Sequence, residues 1–310
     1  MRVLVTGASG FIGRRLVEKL TAEGHEAVPF SRSSGGDVTD PAAVTTAVQG
    51  VDAVAHLVAI LDGSDEAFEA VNAQGTRNVI AAAKAARVRR FLHMSALGVT
   101  EAHAPLTRYW RTKWAAKRAV TESDLDWTVF EPSFVFARGG GAFAEFERLT
   151  RLPLTPVVGD GRYRHQPVWA GDVATAFVRA LERPETIGKR FELGGPQVFE
   201  FNDLLDEIAR VTGRKPHPKL HAPAGAARLQ ARLIGRHLPP PLRVTPDQIT
   251  MLLAGTEWPR LSRRTGLDTG RRRERKLRKS HLRVVEAEND DFAKAVERDL
   301  AALPTIDDRD

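Results

Sequence analysis

The sequence predicts an α/β protein built on a doubly wound parallel sheet, and three observations support this prediction. Short apolar runs alternate with amphipathic runs along the first half of the chain, as in parallel strands joined by helices. The first apolar run leads directly into a turn with three evenly spaced glycines. The chain has 310 residues, of which 42% are hydrophobic, so it has enough apolar surface for a large core.

The runs predict five strands and four helices before the pattern loosens beyond Phe136. The strands are Val3–Thr6, Ala27–Phe30, Ala53–Val58, Arg90–Ser95 and Trp127–Glu131. The helices are Phe11–Glu23, Ala42–Gln49, Asp65–Ala86 and Arg108–Glu122. Further on, helices are expected over Gly171–Leu181 and Asn202–Thr212, and a strand over Arg190–Leu193. Gly24 is expected to end the first helix, and Asp40 with Pro41 to begin the second.

The glycine turn predicts a dinucleotide-binding site of the Rossmann type. Gly7 permits the tight turn, Gly10 lets the backbone approach a pyrophosphate, and Gly13 lets the helix pack closely on the sheet. The free N–H groups and the positive end of the helix dipole then face the phosphates. The strand before the turn and the helix after it are the context that this function requires.

The loop after the second strand bears on the choice of cofactor. Residues 31–36 are too few for the helix and strand that usually follow, so the adenosine end of the site is expected to be open. An acidic residue at the strand end would favour NAD, but the chain has Ser31 and Arg32 there, and Arg14 follows the glycine turn. We therefore predict NADP(H) in preference to NAD(H), with a solvated loop arginine as the alternative.

Three further residues combine with the glycine spacing into a recognisable pattern. Tyr109 and Lys113 are four positions apart and share a helix face, and Ser95 ends a predicted strand upstream. With the G-x-x-G-x-x-G turn, this set resembles the extended and atypical short-chain dehydrogenase/reductase superfamily. The ammonium of Lys113 is expected to lower the pKa of the Tyr109 phenol, which is about 10 when unperturbed. A plain helix surface is the alternative interpretation.

The resemblance implies a smaller C-terminal substrate lobe and assigns roles to the site residues. Tyr109 exchanges a proton with the substrate while the nicotinamide exchanges hydride, Ser95 holds the substrate oxygen, and Lys113 binds the ribose. Asn72, in a run similar to the family's V-N-x-x-G-T-x-N-V, supports a helix bend or a proton relay, unless it is only part of a polar helix face. The implied cofactor contacts are Gly7, Ser9, Gly10, Phe11, Ile12, Gly13, Arg14, Arg32, Asp37, Val38, Leu57, Val58, Ala59, Lys113, Pro132 and Val135.

Within the superfamily, residues from Met1 to about Asp268 resemble one branch, and the lobe is expected mainly from residues 137–268. That branch contains the NADPH-binding accessory subunit of respiratory complex I and its bacterial relatives. The pointers are the runs at 94–98, 109–113, 242–248 and 257–259. The resemblance implies tight nucleotide binding but not necessarily turnover. Two classes of function therefore stay open. The first is an enzyme that acts on a small molecule, either an oxidoreductase or a nucleotide-sugar epimerase or dehydratase. The second is a cofactor-loaded scaffold or redox-sensing subunit. Glu131 and Ala137 stand where the family has Arg and Gly.

Residues 269–310 form a charged tail outside the resemblance. The run from Arg271 to Lys279 is basic and carries much of the net charge of +7, whereas Glu286 to Asp310 is mostly acidic. The basic run suits an anionic membrane surface or a protein partner, pairing with the acidic segment, or solvation. No specific nucleic-acid recognition is expected, because no aromatic residue interrupts the run.

The composition excludes several other classes of site. The chain has no cysteine, so disulfides, thiolate catalysis and Cys-based zinc sites are excluded, and no metal-ligand spacing occurs. The first strand leaves no room for a signal peptide and no apolar run is long enough to span a bilayer, so a cytoplasmic protein is expected, peripheral to a membrane if the tail binds one. A helix over Ala226–His237 is expected to have Leu229, Leu233 and Ile234 on its apolar side and to bury them in the lobe, with docking on a membrane as the alternative.

Overall fold

A computed structural model describes residues 1–137, 140–233, 244–255 and 283–286. Within these residues the strands are β1 Arg2–Thr6, β2 Glu26–Phe30, β3 Ala53–His56, β4 Arg90–Met94, β5 Asp126–Pro132, β6 Val135–Ala137, β7 Thr155–Val158, β8 Arg164–His165, β9 Val168–Trp169, β10 Lys189–Gly194, β11 Phe199–Glu200, β12 Lys219–Ala222 and β13 Arg283–Glu286. The helices are α1 Phe11–Ala22, α2 Pro41–Ala47, α3 Asp65–Phe68, α4 Gly75–Ala85, α5 Arg108–Thr121, α6 Gly141–Thr150, α7 Ala170–Leu181, α8 Phe201–Val211, α9 Ala224–Leu233 and α10 Pro246–Ala254.

The central sheet has the order β13-β10-β5-β4-β3-β1-β2 in the described part of the chain. All its neighbouring strands are parallel except β13, which pairs with β10 in the antiparallel direction. The chain runs outward to β2 on one side of β1 and outward from β3 on the other. The order therefore reverses between β1 and β3, which is where doubly wound folds bind their ligands.

The structure confirms the predicted α/β class and its element order. Each of the five predicted strands and four predicted helices is present, with ends that differ by one or two residues. Gly24 follows α1 with φ +80°, and the Asp40 carboxylate accepts hydrogen bonds from the N–H groups of Ala42 and Ala43 at the start of α2. The predicted helix Asp65–Ala86 is continuous, but its residues Glu69–Gln74 form a π-helical segment between α3 and α4.

The connection between β2 and α2 is as short as the sequence indicates. It contains one 3₁₀ turn, Arg32–Ser34, and no strand. Ser31 caps this turn, with the Ser34 hydroxyl bonded back to the Ser31 N–H at 2.9 Å. β2 is consequently an edge strand in the described sheet, and the 3₁₀ turn lies beside the glycine turn, whose Gly7 N–H donates to the Phe30 carbonyl at 2.8 Å.

Helices cover both faces of the sheet, as the alternating pattern predicts. On one face α1 and α7 pack through fully buried residues such as Leu16, Leu20 and Phe177. On the other face α2, α4 and α5 pack on Val54 and Phe91 and their neighbours. Side chains alternate between the two faces along each strand, so Ser95 and Glu131 lie on the same face as Phe91 and Val129, the face that α5 covers.

The buried guanidinium of Arg90 links elements at the amino-terminal ends of the parallel strands β4 and β5. Its guanidinium donates to the carbonyl oxygens of Asp126 and Ala180 and to the hydroxyls of Thr128 and Thr186, at 2.6–2.9 Å. Burial lowers the pKa of Arg90 to about 10, so the group stays charged at neutral pH. These four oxygens tie β4 and β5 to the end of α7 at the side opposite the glycine turn.

The smaller lobe has its own apolar cluster, formed by α6, α8 and β7. Helix α9 lies beside it, but Leu229 and Leu233 are 58% and 68% exposed, so the expectation that the lobe buries them is wrong. Ala227, on the opposite side of α9, is the buried residue instead. The helix is amphipathic, yet its leucine side faces outward because the alanine side packs against the lobe.

The charged tail lies mostly outside the described residues. Arg283–Glu286, which the sequence analysis assigned to the tail, form β13 at the edge of the central sheet. The basic run, the acidic segment, the 257–259 pointer, the first residues of the 242–248 pointer and the boundary near Asp268 all fall on undescribed positions. In the described part of the chain, no helix is both long enough and apolar enough to cross a membrane.

Candidate active site

A cavity of about 1060 Å³ opens at the carboxyl ends of the parallel strands. One end is formed by the glycine turn and the loop after β2, the middle by the ends of β3, β4 and β5 with α5, and the far end by the lobe. Its size is sufficient for a dinucleotide end together with a small ligand. The cavity therefore lies where the reversal of strand order predicts a binding site.

The glycine turn is shaped for close approach of a ligand. Gly7 has φ +74°, and its carbonyl accepts a hydrogen bond from the Gly10 N–H at 2.9 Å. A Cβ atom on Gly13 would lie 2.1 Å from the Gly7 carbonyl oxygen, so only glycine fits there. The turn thus leaves the N-terminal end of α1 open to the cavity, which suits a pyrophosphate.

The loop after β2 lines the adenosine end of the cavity. Arg32 is exposed there, and the described residues 31–36 contain no carboxylate. The Asp37 carboxylate accepts hydrogen bonds from the N–H and hydroxyl of Thr39, both at 2.8 Å, and these bonds lower its pKa. The charge of Arg32 also lowers the Asp37 pKa, so this end of the cavity carries one cation and one anion.

Ser95 and Tyr109 line the middle of the cavity together. Ser95 follows β4 directly, and its N–H donates to the Phe130 carbonyl at 2.7 Å. The Ser95 hydroxyl is buried and has no hydrogen-bond partner among the described residues, which fits a group that awaits a substrate oxygen. Tyr109 lies in the first turn of α5, where the Thr107 side chain caps the helix.

The structure contradicts the expected lowering of the Tyr109 pKa. Burial raises that pKa to about 12, because the phenolate would lose its hydration. The Lys113 ammonium, which donates to the Met94 carbonyl, does not offset this effect. Tyr109 is therefore protonated at neutral pH.

Lys113 lies behind the cavity wall and is 1% exposed. Its Nζ donates to the Met94 carbonyl at 2.5 Å, so it holds the backbone just before Ser95. Burial, together with the nearby charge of Lys117, lowers the pKa of Lys113 to about 7. The residue is thus poised to gain or lose a proton near neutral pH.

Asn72 also lies behind the wall, in the π-helical segment. Its side-chain oxygen accepts from the Ile60 N–H at 2.8 Å, and its amide donates to the Thr112 hydroxyl at 3.2 Å. The wider π turn brings Asn72 to face α5, one turn beyond Tyr109. Asn72 therefore joins the loop after β3 to the helix that carries Tyr109 and Lys113.

Two neutral histidines fill the layer beneath Lys113. His56 bonds the Thr6 hydroxyl at 2.7 Å and the Thr76 hydroxyl at 2.9 Å, and its ring stacks on that of His93 at 5.5 Å. Burial, aided by the Lys113 charge, lowers the pKa of His56 to about 3 and that of His93 well below its ordinary value. Both histidines are therefore neutral at physiological pH and place no further positive charge beside Lys113.

The ion pair between Lys117 and Glu131 is a feature that the sequence analysis missed. The two side chains are 4% and 8% exposed, and their Nζ and Oε1 atoms are 2.5 Å apart. The Lys117 ammonium also donates to the Val99 carbonyl. The sequence marks Glu131 only as a replacement of the family's arginine. Its partner Lys117 lies on α5, one helical turn beyond Lys113.

The predicted site residues fall into two groups. Those that line the cavity are Gly7, Ser9, Gly10, Phe11, Ile12, Gly13, Arg32, Asp37, Val38, Leu57, Val58, Ala59, Ser95, Tyr109, Pro132 and Val135. Lys113 and Asn72 lie behind its wall, and Arg14 is exposed on α1 outside the lining. The lobe residues of the lining, such as Phe146, Leu149 and Leu252, were not identified, because their sequence pattern is that of an ordinary core.

A comparison with known families identifies the fold's relatives. A sequence profile described as the NAD dependent epimerase/dehydratase family matches residues 3–194, more than half of the chain, including the glycine turn and Tyr109. The chain belongs to this family. It is therefore an NAD(P)-binding protein of the oxidoreductase and epimerase type, as predicted from the resemblance. Among the described residues, no cluster of side chains is suited to hold a metal ion.

Two relatives in sequence and one solved structure of similar fold show what the chain resembles. The chain is 37% identical over 272 residues to a 3-beta-hydroxysteroid dehydrogenase from Mycolicibacterium neoaurum, covering 70% of this chain and 74% of the relative. It is 28% identical over 281 residues to the mitochondrial NADH dehydrogenase [ubiquinone] 1 alpha subcomplex subunit 9 of Arabidopsis thaliana, covering 81% and 69%. The solved dTDP-4-dehydrorhamnose reductase of Bacillus anthracis str. Ames, in complex with NADP, is similar in fold with a TM-score of 0.64, 19% identity and coverage of 73% and 86%.

Breaking the buried pair from one side should cost more stability than removing both charges. We expect Lys117→Met or Glu131→Gln to lower the free energy of unfolding by about 3–5 kcal/mol, because each leaves an uncompensated buried charge. Lys117→Met combined with Glu131→Leu should lose much less. Urea denaturation measures the free energy of unfolding of the single and double variants. The control is Arg118→Ala, which breaks an exposed pair with Glu122 and should lower the free energy of unfolding by less than about 1 kcal/mol. Additive losses in the double variant would contradict the ion pair.

Lys113 should make the protein more stable as the pH rises. Between its folded pKa of about 7 and its unfolded pKa of about 10.4, the unfolded chain binds a proton that the folded chain does not. The free energy of unfolding of the wild type, relative to Lys113→Met, should therefore increase from pH 7 to pH 10. Urea denaturation across this range tests it, with the exposed Lys84→Met as control. If the free energies of unfolding of the wild type and Lys113→Met change in parallel with pH, burial does not lower the pKa of Lys113.

Proposed function

We propose that the protein is an NADP(H)-dependent oxidoreductase that transfers hydride between NADP(H) and a small carbonyl or alcohol substrate. One observation carries this proposal: the unpartnered Ser95 hydroxyl and the Tyr109 phenol face the same cavity as the glycine turn. When bound, the nicotinamide cofactor supplies or accepts the hydride. The protein supplies the proton and holds the substrate oxygen.

The residues present fit this cofactor. The glycine turn offers free N–H groups at the start of α1, and a side chain at Gly13 would clash with the Gly7 carbonyl and distort the turn that presents them to a pyrophosphate. The loop at Arg32, Asp37 and Val38 suits the adenosine end. The other predicted contacts that line the cavity are Ser9, Phe11, Ile12, Leu57, Val58, Ala59, Pro132 and Val135, which would bound the rest of the cofactor.

Each polar residue then has a separate task. Ser95 donates a hydrogen bond to the substrate oxygen, and Tyr109 donates its proton to the same oxygen. Tyr109 is protonated in the free protein, which is the form that carbonyl reduction requires. Lys113 fixes Met94, and thereby Ser95, while Asn72 and Thr112 fix the helix on which Tyr109 stands.

A cofactor-loaded subunit without turnover is the second candidate. The similarity to the Arabidopsis complex I subunit extends over 81% of the chain, which favours this alternative. A nucleotide-sugar epimerase or dehydratase is a further form of the enzyme hypothesis, since the matching family includes such enzymes by its description. The membrane or partner role of the basic run stays a prediction, because that run lies outside the described residues.

Tyr109→Phe should separate the enzyme from the scaffold. The variant keeps the ring, so fold and NADPH affinity should survive, while turnover falls about 10²–10⁴-fold for lack of the proton donor. NADPH oxidation would be screened against aldehydes, ketones, quinones and nucleotide sugars. Tyr163→Phe is a matched control, because Tyr163 is the other tyrosine of the chain and does not line the cavity.

The outcomes of this screen are distinct. Full activity of Tyr109→Phe on a substrate that turns over would refute the catalytic assignment. NADPH that co-purifies with the wild type, without turnover of any compound in the screen, would favour the subunit.

Arg32→Ala should test the preference for NADP(H). We expect NADPH to bind the wild type more tightly than NADH, and the substitution to weaken NADPH roughly 10–100-fold, since a charge-assisted hydrogen bond contributes about 1.5–3 kcal/mol. NADH affinity should hardly change. Calorimetry measures both, and Arg14→Ala should change neither, because Arg14 lies outside the cavity lining. If Arg32→Ala weakens the binding of NADPH and NADH by the same factor, Arg32 does not select NADP(H).

A further inference from the structure

The far end of the cavity is lined mainly by apolar side chains, with Gln230 of α9 and Gln248 of α10 as its uncharged amides. Beyond Ser95 and Tyr109, its wall is formed by Phe146 and Leu149 of α6, Val157 of β7, Phe201 of α8, and Ile249 and Leu252 of α10. These side chains come from four separate elements of the lobe. They converge on one volume that is continuous with the position of the reacting groups.

The charges at this end are balanced and exposed. The charged groups of the described lobe lining are Glu145 and Arg148, which form an ion pair with each other at 2.6 Å on the surface of α6. His165 also lines the cavity, but burial lowers its pKa to about 4, so it is neutral at physiological pH. The described lobe wall thus offers no unengaged cation to a diphosphate.

This lining discriminates between substrate classes. A buried diphosphate requires arginine or lysine partners, because an anion moved from water into an apolar site loses its hydration. An aliphatic body requires only contact with apolar side chains and gains from leaving water. The wall therefore favours the second class, although the matching family takes its description from epimerases and dehydratases.

We propose that the substrate is a ketone, or the corresponding secondary alcohol, whose uncharged aliphatic body occupies the lobe end of the cavity. This proposal rests on the proposed function, which places the carbonyl at Ser95 and Tyr109. In the reduction, the carbonyl carbon gains a hydride with its electron pair from the reduced nicotinamide. The carbonyl oxygen gains the Tyr109 proton, the C=O π bond is lost, and solvent restores the proton to Tyr109.

The first test measures binding without turnover. The full-length protein, alone and saturated with NADP⁺, would be titrated with 2-alkanones from 2-pentanone to 2-undecanone by calorimetry. We expect Kd to fall up to about fourfold per methylene, corresponding to about 0.8 kcal/mol per buried CH₂. The 4-keto sugar nucleotide dTDP-4-keto-6-deoxyglucose should bind far more weakly than 2-undecanone. Affinity that is independent of chain length, or tighter binding of the sugar nucleotide, would overturn the proposal.

The second test places the aliphatic body at the lobe. Leu252→Asn keeps the shape of the side chain but adds an amide to the wall, and should weaken 2-undecanone at least tenfold while 2-pentanone changes little. Leu253→Asn is the matched control, since Leu253 is the next residue of α10 and is not part of the lining. Met251→Gln, also in the lining, is used if Leu252→Asn does not fold. Wild-type affinity for 2-undecanone in a folded lining variant would overturn the proposed placement.

These measurements separate the substrate class from the reaction. A chain-length dependence without NADPH oxidation by any alkanone supports the aliphatic site and contradicts the proposed hydride transfer. Oxidation of NADPH by the sugar nucleotide but not by the alkanones supports the transfer and overturns the aliphatic substrate.

Discussion

The arrangement of the cavity wall around Ser95 depends on two lysine side chains that are buried between α5 and the central sheet. Lys113 and Lys117 stand one turn apart on α5, and each donates to a backbone carbonyl, of Met94 and Val99 respectively. One carboxylate, Glu131, contacts this pair among the described residues, and it binds Lys117. The segment that begins with Ser95 is therefore held at both ends, and burial without a carboxylate partner among the described residues lowers the pKa of Lys113 to about 7.

The sequence was sufficient for the fold and for much of the cavity because both depend on local patterns. Apolar runs with a glycine turn between strand and helix specify the parallel sheet, and the turn itself requires Gly7 and Gly13 for reasons of space. The short stretch after Phe30 directly excludes another helix and strand. Tyr109 and Ser95 were identified through the resemblance to the short-chain dehydrogenase/reductase superfamily, whose Tyr-x-x-x-Lys pair and upstream Ser this sequence matches.

The remaining features arise from contacts between distant segments, which no local pattern reveals. The Lys117–Glu131 pair joins α5 to β5, and the burial that raises the Tyr109 pKa comes from several elements at once. The π-helical segment preserves the apolar period on either side of it, so the sequence resembles one regular helix. The outward position of Leu229 depends on which face of α9 meets the lobe, and an amphipathic pattern alone does not decide that.

The shortened connection after β2 also affects how the molecule meets other chains. With no further strand beside it in the described sheet, β2 presents an open row of backbone groups, the usual template for unwanted β-pairing and aggregation. The strand is five residues long and carries an exposed Pro29, which has no N–H to donate, and an exposed Glu26. The short connection after β2 therefore leaves an exposed sheet edge, and Pro29 and Glu26 make that edge poorly suited to pair with a strand of another chain.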